Sequence, residues 1–323
     1  MLSAVGLKAR EWAARSNPWT NVYGLARTLL ALGSLTTLLF SKPTDLFRPA
    51  VGLPFAPICL GITRFGLFCQ VGGSHLEISR WLATLILLVV ASGWRPRLTG
   101  ILHWWVAVSF STSAIMVDGG DQVTAILTLL LLPVTLTDPR RWHWEGVQGK
   151  PSGLTEITRL VALSSLFMIR VQVAGIYFHS AIAKFQVPEW ANGTAVYYWF
   201  TDPTFGAPGW LHPILAPLLA NALSVTLITW GALMLQVFLF MGLVMDKRHR
   251  RVLLLLGLGF HAGIALIHGL ISFAIAMWAA LILYLRPVSE EFQFVNNTYA
   301  RLLTLLAKAR GRAVTTRRAL GEA

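Results

Sequence analysis

The chain has 323 residues, of which 55% are hydrophobic and 13% charged, and its mean hydropathy is +0.62. Soluble globular domains carry about 25% charged residues, so the composition excludes an ordinary soluble protein. The long apolar runs also exclude disordered, fibrous and disulfide-rich secreted proteins. The net charge of +13 could suggest nucleic acid as a partner. The sequence has no nucleic-acid-binding motif, and the positions of the basic residues indicate membrane topology instead.

Eight segments resemble transmembrane helices, which need about 20 mainly apolar residues. They cover residues 22–40, 77–94, 99–117, 121–137, 158–183, 221–245, 251–268 and 270–286. The last two are so close that they predict an antiparallel hairpin. The fold class predicted is therefore all-α: a polytopic helical membrane protein with about eight transmembrane helices. A cytoplasmic N-terminal segment (1–21) precedes the transmembrane domain (22–286), and a basic cytoplasmic tail (287–323) follows it.

The basic residues orient these spans, because loops rich in Lys and Arg stay in the cytoplasm. With both termini inside, the great majority of the 27 basic residues lie on the cytoplasmic side. Those that fall outside are Lys42, Arg48, Arg64 and Arg80. The asymmetry also predicts contact with anionic lipids, and the segment from Tyr299 predicts an amphipathic helix on the inner leaflet.

Two cations on the fifth span, Arg170 and Lys184, are not explained by topology. Arg170, Tyr177 and Lys184 recur every seven residues and therefore share a helix face. Gln172 and His179 repeat on an adjacent stripe. This segment therefore has more polar chemistry than a simple transmembrane helix requires.

Arg170 lies in mid-span, where a cation costs about 2.5–3.5 kcal/mol on insertion scales and rarely faces lipid. We expect it to turn inward to a carboxylate or a carbonyl. Asp118 and Asp121, between the third and fourth spans, are candidate partners. A structural ion pair between Arg170 and Asp118 is the simpler interpretation.

Lys184 lies near the outer end of its span, where a lysine ordinarily extends to water. It is also surrounded in sequence by the aromatic residues Phe178, Phe185 and Trp190. If these desolvate it, the neutral amine could act as a base. Spacing alone does not separate the two interpretations.

The late hairpin contains two histidines, His261 and His268, on one helix face. A zinc site would need further ligands, so polar packing is the simpler interpretation and we expect no metal. Gly259 and Gly263 on the same helix form a small-xxx-small pattern, which predicts close approach by a neighbouring helix.

Cys59 and Cys69 are the only cysteines and fall in the predicted outer loop between the first and second spans. An oxidising compartment favours a structural disulfide. The alternative is a redox pair that exchanges disulfides with a partner peptide. The segment 186–220, rich in proline and aromatic residues, could cover a site from outside.

The order Tyr177-Phe178, Lys184, Trp190 and Gly193 resembles the signature of the horizontally transferred transmembrane (HTTM) domain. This domain is the membrane part of vitamin K-dependent γ-glutamyl carboxylase. The similarity covers about residues 15–286. It includes Asp118-Gly-Gly-Asp121, Arg141-Trp-His-Trp144, and His261 followed by Phe273 and Met277. The opening from Asn17 to Arg27 is similar to a compact bacterial branch, the SdpB-like (sporulation-delaying protein B) proteins.

The resemblance implies that Lys184 matches the carboxylase lysine credited with deprotonating vitamin K hydroquinone, and that His261 matches a histidine on the facing helix. It implies a catalytic set of Lys184, His179, Tyr177, Asp121 and His261 near the outer face, with a quinone as the candidate cofactor. Asp121 stands where the carboxylase has a histidine, and the large lumenal domain is missing after the eighth span. We therefore do not transfer carboxylation to this chain.

The SdpB-like branch is associated with the production of a secreted, ribosomally made antimicrobial peptide, together with a small companion protein of the SdpA type. The leading hypothesis is a bacterial plasma-membrane protein needed for maturation or export of such a toxin, with the secreted peptide precursor as its partner. One alternative is a quinone-linked membrane enzyme with Lys184 as base. Another is a transporter or immunity protein without covalent chemistry, for which we find no convincing inverted repeat.

Overall fold

The computed structural model of the protein describes residues 2–49, 52, 56–71, 75–146, 153–287, 290–293 and 298. Within these ranges the regular structure is helical, apart from a single bridge between Trp94 and Trp142. The all-α prediction is therefore confirmed. The amphipathic helix predicted from Tyr299 lies outside the described residues.

The helices follow one another in chain order, with short 3₁₀ turns at Gly61–Phe65 and Gly209–Leu211. They are α1 (Leu2–Arg15), α2 (Asn21–Phe40), α3 (Pro43–Leu46), α4 (Leu67–Gln70), α5 (Leu76–Ser92), α6 (Pro96–Ser113), α7 (Gly119–Thr137), α8 (Gly153–Phe185), α9 (Pro188–Ala191), α10 (Ala195–Thr201), α11 (His212–Leu219), α12 (Ala222–Met241), α13 (Lys247–His268) and α14 (Ile271–Leu285).

Each of the eight predicted spans coincides with a helix: α2, α5 to α8, and α12 to α14. Five of these, α2, α7, α8, α12 and α13, are long and apolar enough to cross a membrane. Helices α5 and α14 have only 17 and 15 residues, and α6 carries polar side chains such as Arg97 and His103. The count of eight, the cytoplasmic termini and the domain boundaries stay predictions.

Side chains and glycines set the ends of the long helices. Asp118, Asn221 and Asp246 cap α7, α12 and α13 by accepting backbone N–H bonds. Helices α5 and α13 end at Gly93 and Gly269, whose φ angles of 88° and 71° are left-handed. Glycine adopts that conformation without steric cost. The tight connections make α5 antiparallel to α6 and α13 antiparallel to α14.

Helix α14 lies at the centre of the bundle and packs on α2, α7, α8 and α13. Its buried small residues include Ala274, Ala276, Ala279 and Ala280. A Cβ added to Gly33 of α2 would lie 3.2 Å from the carbonyl oxygen of Ser272, and one added to Gly120 of α7 would lie 2.7 Å from Cα of Phe273. Such small residues let helices approach closely in lipid, where van der Waals packing drives association.

The bundle has two ends, which we name by their residues. The basic end contains the segment Asp138 to Glu145, the start of α13 and the end of α14. The cavity end contains the start of α7, the end of α8 and the α13–α14 turn. The long helices run alternately between these ends.

A buried polar network joins α2 to the α7–α8 connection at the basic end. The hydroxyl of Tyr23 donates to Oδ2 of Asp138 at 2.7 Å, and Arg140 binds both oxygens of Asp138 at 2.8 and 2.9 Å. Arg27 lies 3.4 Å from Nδ1 of His143 and donates to Thr99 at 2.6 Å. Burial, together with the positive charges of Arg27 and Arg140, lowers the pKa of His143 well below its usual range.

Other residues of the segment Asn17–Arg27 also make hydrogen bonds and close contacts at the basic end. The side-chain amide of Asn21 donates to the carbonyl of Phe292 at 2.9 Å and its oxygen accepts the backbone N–H of Phe292 at 2.8 Å. Trp19 donates from its indole nitrogen to the carbonyl of Val134. A Cβ on Gly24 would meet His143 at 3.0 Å. The opening motif therefore has a structural explanation, since it forms the start of α2 and the turn before it, which contact the other segments of the basic end.

Candidate functional site

A cavity of about 1470 Å³ lies between α7, α8, α12 and α13, with α14 at its back. Lys184, His179, Tyr177 and His261 all line it. The structure therefore brings four of the five predicted catalytic residues to one place. The segment after α8 lines the cavity end with Trp190, Trp199, Phe200 and Phe205. This is the position expected for the segment 186–220 as a cover.

The amine of Lys184 is half-buried and is held by neutral groups. Its Nζ donates to Oγ of Ser180 at 2.7 Å and to Oε1 of Gln236 at 3.2 Å, and it lies 5.4 Å from the ring centroid of Trp190. Ser180 also donates to Gln236 at 2.7 Å, and Gln236 anchors itself on the carbonyl of Ala232. Among the described residues, no carboxylate pairs with this amine. Lys184 therefore presents a cation, or a free amine, to a mostly apolar cavity.

Tyr177 and His261 form a second polar pair deeper in the cavity. The Tyr177 hydroxyl lies 3.0 Å from Nε2 of His261, and His261 is only 2% exposed. The imidazole packs edge-on against Phe260 and Phe273. Within the described ranges its Nδ1 has no hydrogen-bond partner. The pair can hold or move one proton between the hydroxyl and the imidazole.

His268, the second histidine of α13, holds the covering segment in place. Its Nδ1 donates to the carbonyl of Phe205 at 2.6 Å, and its ring contacts Trp199 and Phe200. This agrees with polar packing as its role. In the part of the chain that the structure describes, no three His, Cys, Asp or Glu side chains are grouped as metal ligands would be.

Asp121, the fifth predicted residue, is not in the cavity. Its carboxylate accepts the backbone N–H of Asp118 at 3.1 Å, in a reciprocal cap at the start of α7. The carboxylate of Asp118 accepts the backbone N–H of Gly120 and the hydroxyl of Ser272. Both aspartates therefore fix the start of α7, and the neighbours Gly119 and Gln122 line the cavity instead.

The structure does not bring Arg170 and Asp118 together. Arg170 faces the basic end, where it interacts electrostatically with Arg250 and Tyr284, whereas Asp118 lies at the cavity end. Helix spacing predicted the face of α8 that carries Arg170. It did not predict which residues of the neighbouring helices lie at the same level along the bundle. The expected ion pair is therefore absent from the described contacts of these two residues.

The glycines of α13 are also placed differently from the prediction. A Cβ on Gly259 or Gly263 would meet nothing within 4 Å, and both residues line the cavity. Gly175 of α8 and Gly231 of α12 have the same open surroundings and also line it. These glycines widen the cavity instead of seating a neighbouring helix.

Cys59 and Cys69 form a disulfide, with their Cα atoms 5.7 Å apart. Cys69 belongs to α4 and lies near Ser113 of α6, and neither cysteine lines the cavity. The geometry agrees with the structural interpretation, and exchange with a peptide stays a prediction.

Sequence reasoning missed Ser180 and Gln236, the two direct partners of Lys184. Gln236 had a signal, since it carries the one amide side chain of the apolar α12, and strongly polar residues of such helices face a protein interior. Ser180 follows from the i, i+4 relation to Lys184 on the same helix face.

The fold and the cavity define a helical membrane protein with a largely apolar cavity, lined by a few polar side chains, among its longest helices. Residues 152–288 match the HTTM domain, a range that contains the whole α8–α14 region. The chain is 43% identical to "Uncharacterized protein YitO" of Bacillus subtilis (strain 168), over 94% of this chain and 96% of that protein. It is 38% identical to "Sporulation-delaying protein SdpB" of the same organism, over 85% of this chain and 84% of that protein. No solved structure matches.

The chain therefore belongs to the HTTM family, in its SdpB-like branch, as its motifs predicted.

Proposed function

We propose that this protein acts at the bacterial plasma membrane in the maturation or export of a secreted antimicrobial peptide. The cavity is the observation that carries the proposal. Its volume of about 1470 Å³ exceeds the roughly 300–1,000 Å³ usual for small-ligand pockets. It is thus large enough for several side chains of an extended peptide. The 38% identity to SdpB supports the same pathway.

The polar groups of the cavity suit recognition of a peptide backbone or terminus. Among the described residues the Lys184 ammonium has neutral partners, Ser180 and Gln236, and it would gain a charge-assisted hydrogen bond to a peptide carboxylate or carbonyl. Apolar walls would take the flanking side chains. The precursor peptide and a small SdpA-type companion are the partners in this proposal.

Deletion of the gene, with the precursor gene retained, tests this function. We expect mass spectrometry of the culture medium to show loss of the mature peptide, with recovery on complementation by the wild type. Lys184→Met should fail to complement, whereas Lys42→Met, which removes an exposed lysine away from the cavity, should complement fully. A normal yield of mature peptide from the deletion strain would refute the proposal.

A quinone-linked enzyme is the second candidate function. The specific observation in its favour is that the amine of Lys184 has no carboxylate among its described partners. No nearby anion therefore stabilises the charged ammonium at the expense of the neutral amine. Such an amine could take a proton from a hydroquinone hydroxyl, with Tyr177 and His261 holding a second proton nearby. In a reconstituted assay with an added hydroquinone, unchanged turnover by Lys184→Met would exclude this function.

A further inference from the structure

Ser180, Lys184 and Gln236 form a triangle of hydrogen bonds between α8 and α12. Nζ of Lys184 lies 2.7 Å from Oγ of Ser180 and 3.2 Å from Oε1 of Gln236. Oγ of Ser180 lies 2.7 Å from the same Oε1. The i, i+4 spacing places Ser180 and Lys184 on one face of α8, and all three residues line the cavity. A ligand in the cavity can therefore reach both the hydroxyl and the amine.

The triangle contains the parts of an activated nucleophile. A serine hydroxyl is a weak nucleophile until a base within about 2.6–3.2 Å takes its proton, and a third group orients that base. Lys184 lies at this distance from Ser180, and Gln236 is the third group. Gln236 is only 2% exposed, and its Nε2 donates to the carbonyl of Ala232 at 3.1 Å. Pairs of serine and lysine are a variant of the catalytic triad that occurs on unrelated folds.

The surroundings of Lys184 permit the neutral amine that a base requires. Among the described residues no carboxylate pairs with its Nζ. When the amine is charged, it donates to Ser180, and the Ser180 hydroxyl donates to Gln236. When the amine is neutral, the same hydroxyl can rotate and donate to Nζ instead. The proton of Ser180 therefore has a direct path to Lys184.

We propose that Ser180 is the nucleophile and Lys184 the base of a peptide-bond hydrolase, which cuts the precursor peptide. This inference rests on the maturation part of the proposed function and names its chemistry. The substrate is a peptide segment whose backbone carbonyl reaches Ser180 and whose side chains occupy the mainly apolar cavity of about 1470 Å³. Both catalytic residues touch this substrate directly.

The cleavage proceeds through an ester on Ser180 and consumes one water molecule. Oγ of Ser180 bonds to the carbonyl carbon while its proton passes to Nζ of Lys184. The C–N bond then breaks, and the departing amine takes the proton from Nζ. Water next attacks the ester and gives a proton to Nζ, which returns it to Oγ as the C–O bond breaks. Lys184 lies in the last turn of α8, so this water enters from the cavity end.

A fluorophosphonate probe tests the nucleophile in the purified full-length protein. A serine oxygen displaces fluoride from phosphorus, and mass spectrometry of the protein and its peptides locates the added group. We expect the group on Ser180 in the wild type and not at this position in Ser180→Ala. Ser165→Ala is the matched control, because Ser165 lies on the same helix and donates to the carbonyl of Leu130 outside the cavity lining. It should react as the wild type does, and an unmodified Ser180 in the wild type would overturn the proposal.

Two substitutions of Lys184 distinguish a base from a cation that only binds the peptide. Lys184→Met should slow the modification of Ser180 by about a hundredfold or more. Lys184→Arg keeps the positive charge and the hydrogen-bond donors, but a guanidinium group does not give up its proton in proteins. It should therefore be as slow as Lys184→Met. Modification at the wild-type rate in either variant would overturn the proposal, and this comparison does not depend on the folding of Ser180→Ala.

Complementation of the deletion strain separates this inference from the proposed function. Ser180→Ala and Lys184→Arg should accumulate the uncut precursor and yield no mature peptide, whereas Ser165→Ala should restore the wild-type yield. Mature peptide in the deletion strain itself would refute the proposed function. Full complementation by Ser180→Ala would overturn the serine nucleophile and leave the proposed function intact.

Discussion

The two buried polar regions of this protein differ in whether their charged side chains have oppositely charged partners. At the basic end, Arg140 is bound by both oxygens of Asp138, and Tyr23 donates to the same carboxylate. In the cavity, the hydrogen-bond acceptors of Lys184 among the described residues are the neutral oxygens of Ser180 and Gln236. In the first region Asp138 and Arg140 neutralise each other, whereas in the second the described partners of Lys184 carry no charge, which leaves its amine able to bind another group.

This difference separates structure from function within one bundle. A buried charge with a complete set of partners holds two chain segments together, and removing one partner is strongly destabilising. A buried amine with neutral partners costs little to remove, but its loss deletes the chemistry of the site. Stability and activity should therefore respond to different residues.

The largest loss of stability is expected from Asp138→Asn. The substitution keeps the shape of the side chain but leaves Arg140 as a buried charge without a carboxylate. We expect the free energy of unfolding, measured by SDS titration from mixed micelles, to fall by about 3–5 kcal/mol. Glu11→Gln, at the exposed pair with Arg15, should change it by less than about 1 kcal/mol. A similar small loss in both variants would contradict the comparison.

Glycine substitutions should distinguish the packed part of the bundle from the cavity. In Gly120→Ala, the new Cβ would lie 2.7 Å from Cα of Phe273, so α7 must move from α14, and we expect a loss of about 1–3 kcal/mol. In Gly263→Ala the Cβ enters open space, so stability should stay the same or rise by up to about 1 kcal/mol. Gly263→Leu should fold and yet lower the yield of mature peptide by occupying the cavity. Equal destabilisation by both alanine variants would contradict the open space next to Gly263.

The pH dependence of stability should reflect the protonation of His143 at the basic end. Because the pKa of buried His143 is well below its usual value, about 6.5, the unfolded chain binds the proton more readily. This contribution to stability is therefore full above about pH 6.5 and falls as the pH decreases, by up to about 1.4 kcal/mol per unit, until the folded pKa is passed.

Unfolding of the wild type and of His143→Gln between pH 7 and pH 5 measures this effect. The variant should show a shallower slope, whereas His75→Gln, at an exposed histidine, should keep the wild-type slope. An unchanged slope in His143→Gln would show that other groups cause the acid sensitivity.

The smallest change in stability is expected from Lys184→Met. Ser180 still donates to Gln236 in its absence, so no buried polar atom of that pair is left without a partner. We expect the free energy of unfolding to change by less than about 1 kcal/mol, while mature peptide is lost. If the variant has normal stability and a normal yield of mature peptide, Lys184 is not a functional residue of the cavity.

Apolar length located all the long helices, with ends within five residues of those observed and the largest difference at the start of α8, because it is a local property. It also placed Tyr177 and Lys184 on one face of α8, since helical spacing is fixed. It did not place Arg170 against the correct neighbours, and it assigned Asp121 to the site instead of the α7 cap. Those properties depend on the depth and tilt of other helices, which no local pattern contains.

The glycines illustrate the same limit. Gly33 and Gly120 meet α14 closely, whereas Gly259 and Gly263 face open space. A small residue permits either a close contact or a widened cavity. Only the three-dimensional arrangement of the neighbouring helices decides which of the two occurs.

The paired hydrogen bonds between Asn21 and Phe292 have a consequence for the path of the chain. They place the start of α2 beside the segment after α14, so the chain leaves the bundle on the side where it entered. The number of complete crossings between these residues must therefore be even. Crossing by all five helices that have the required length and composition would therefore require an odd number of additional crossing helices. Helix α14 is the strongest candidate, because the surrounding helices shield its 15 residues from lipid.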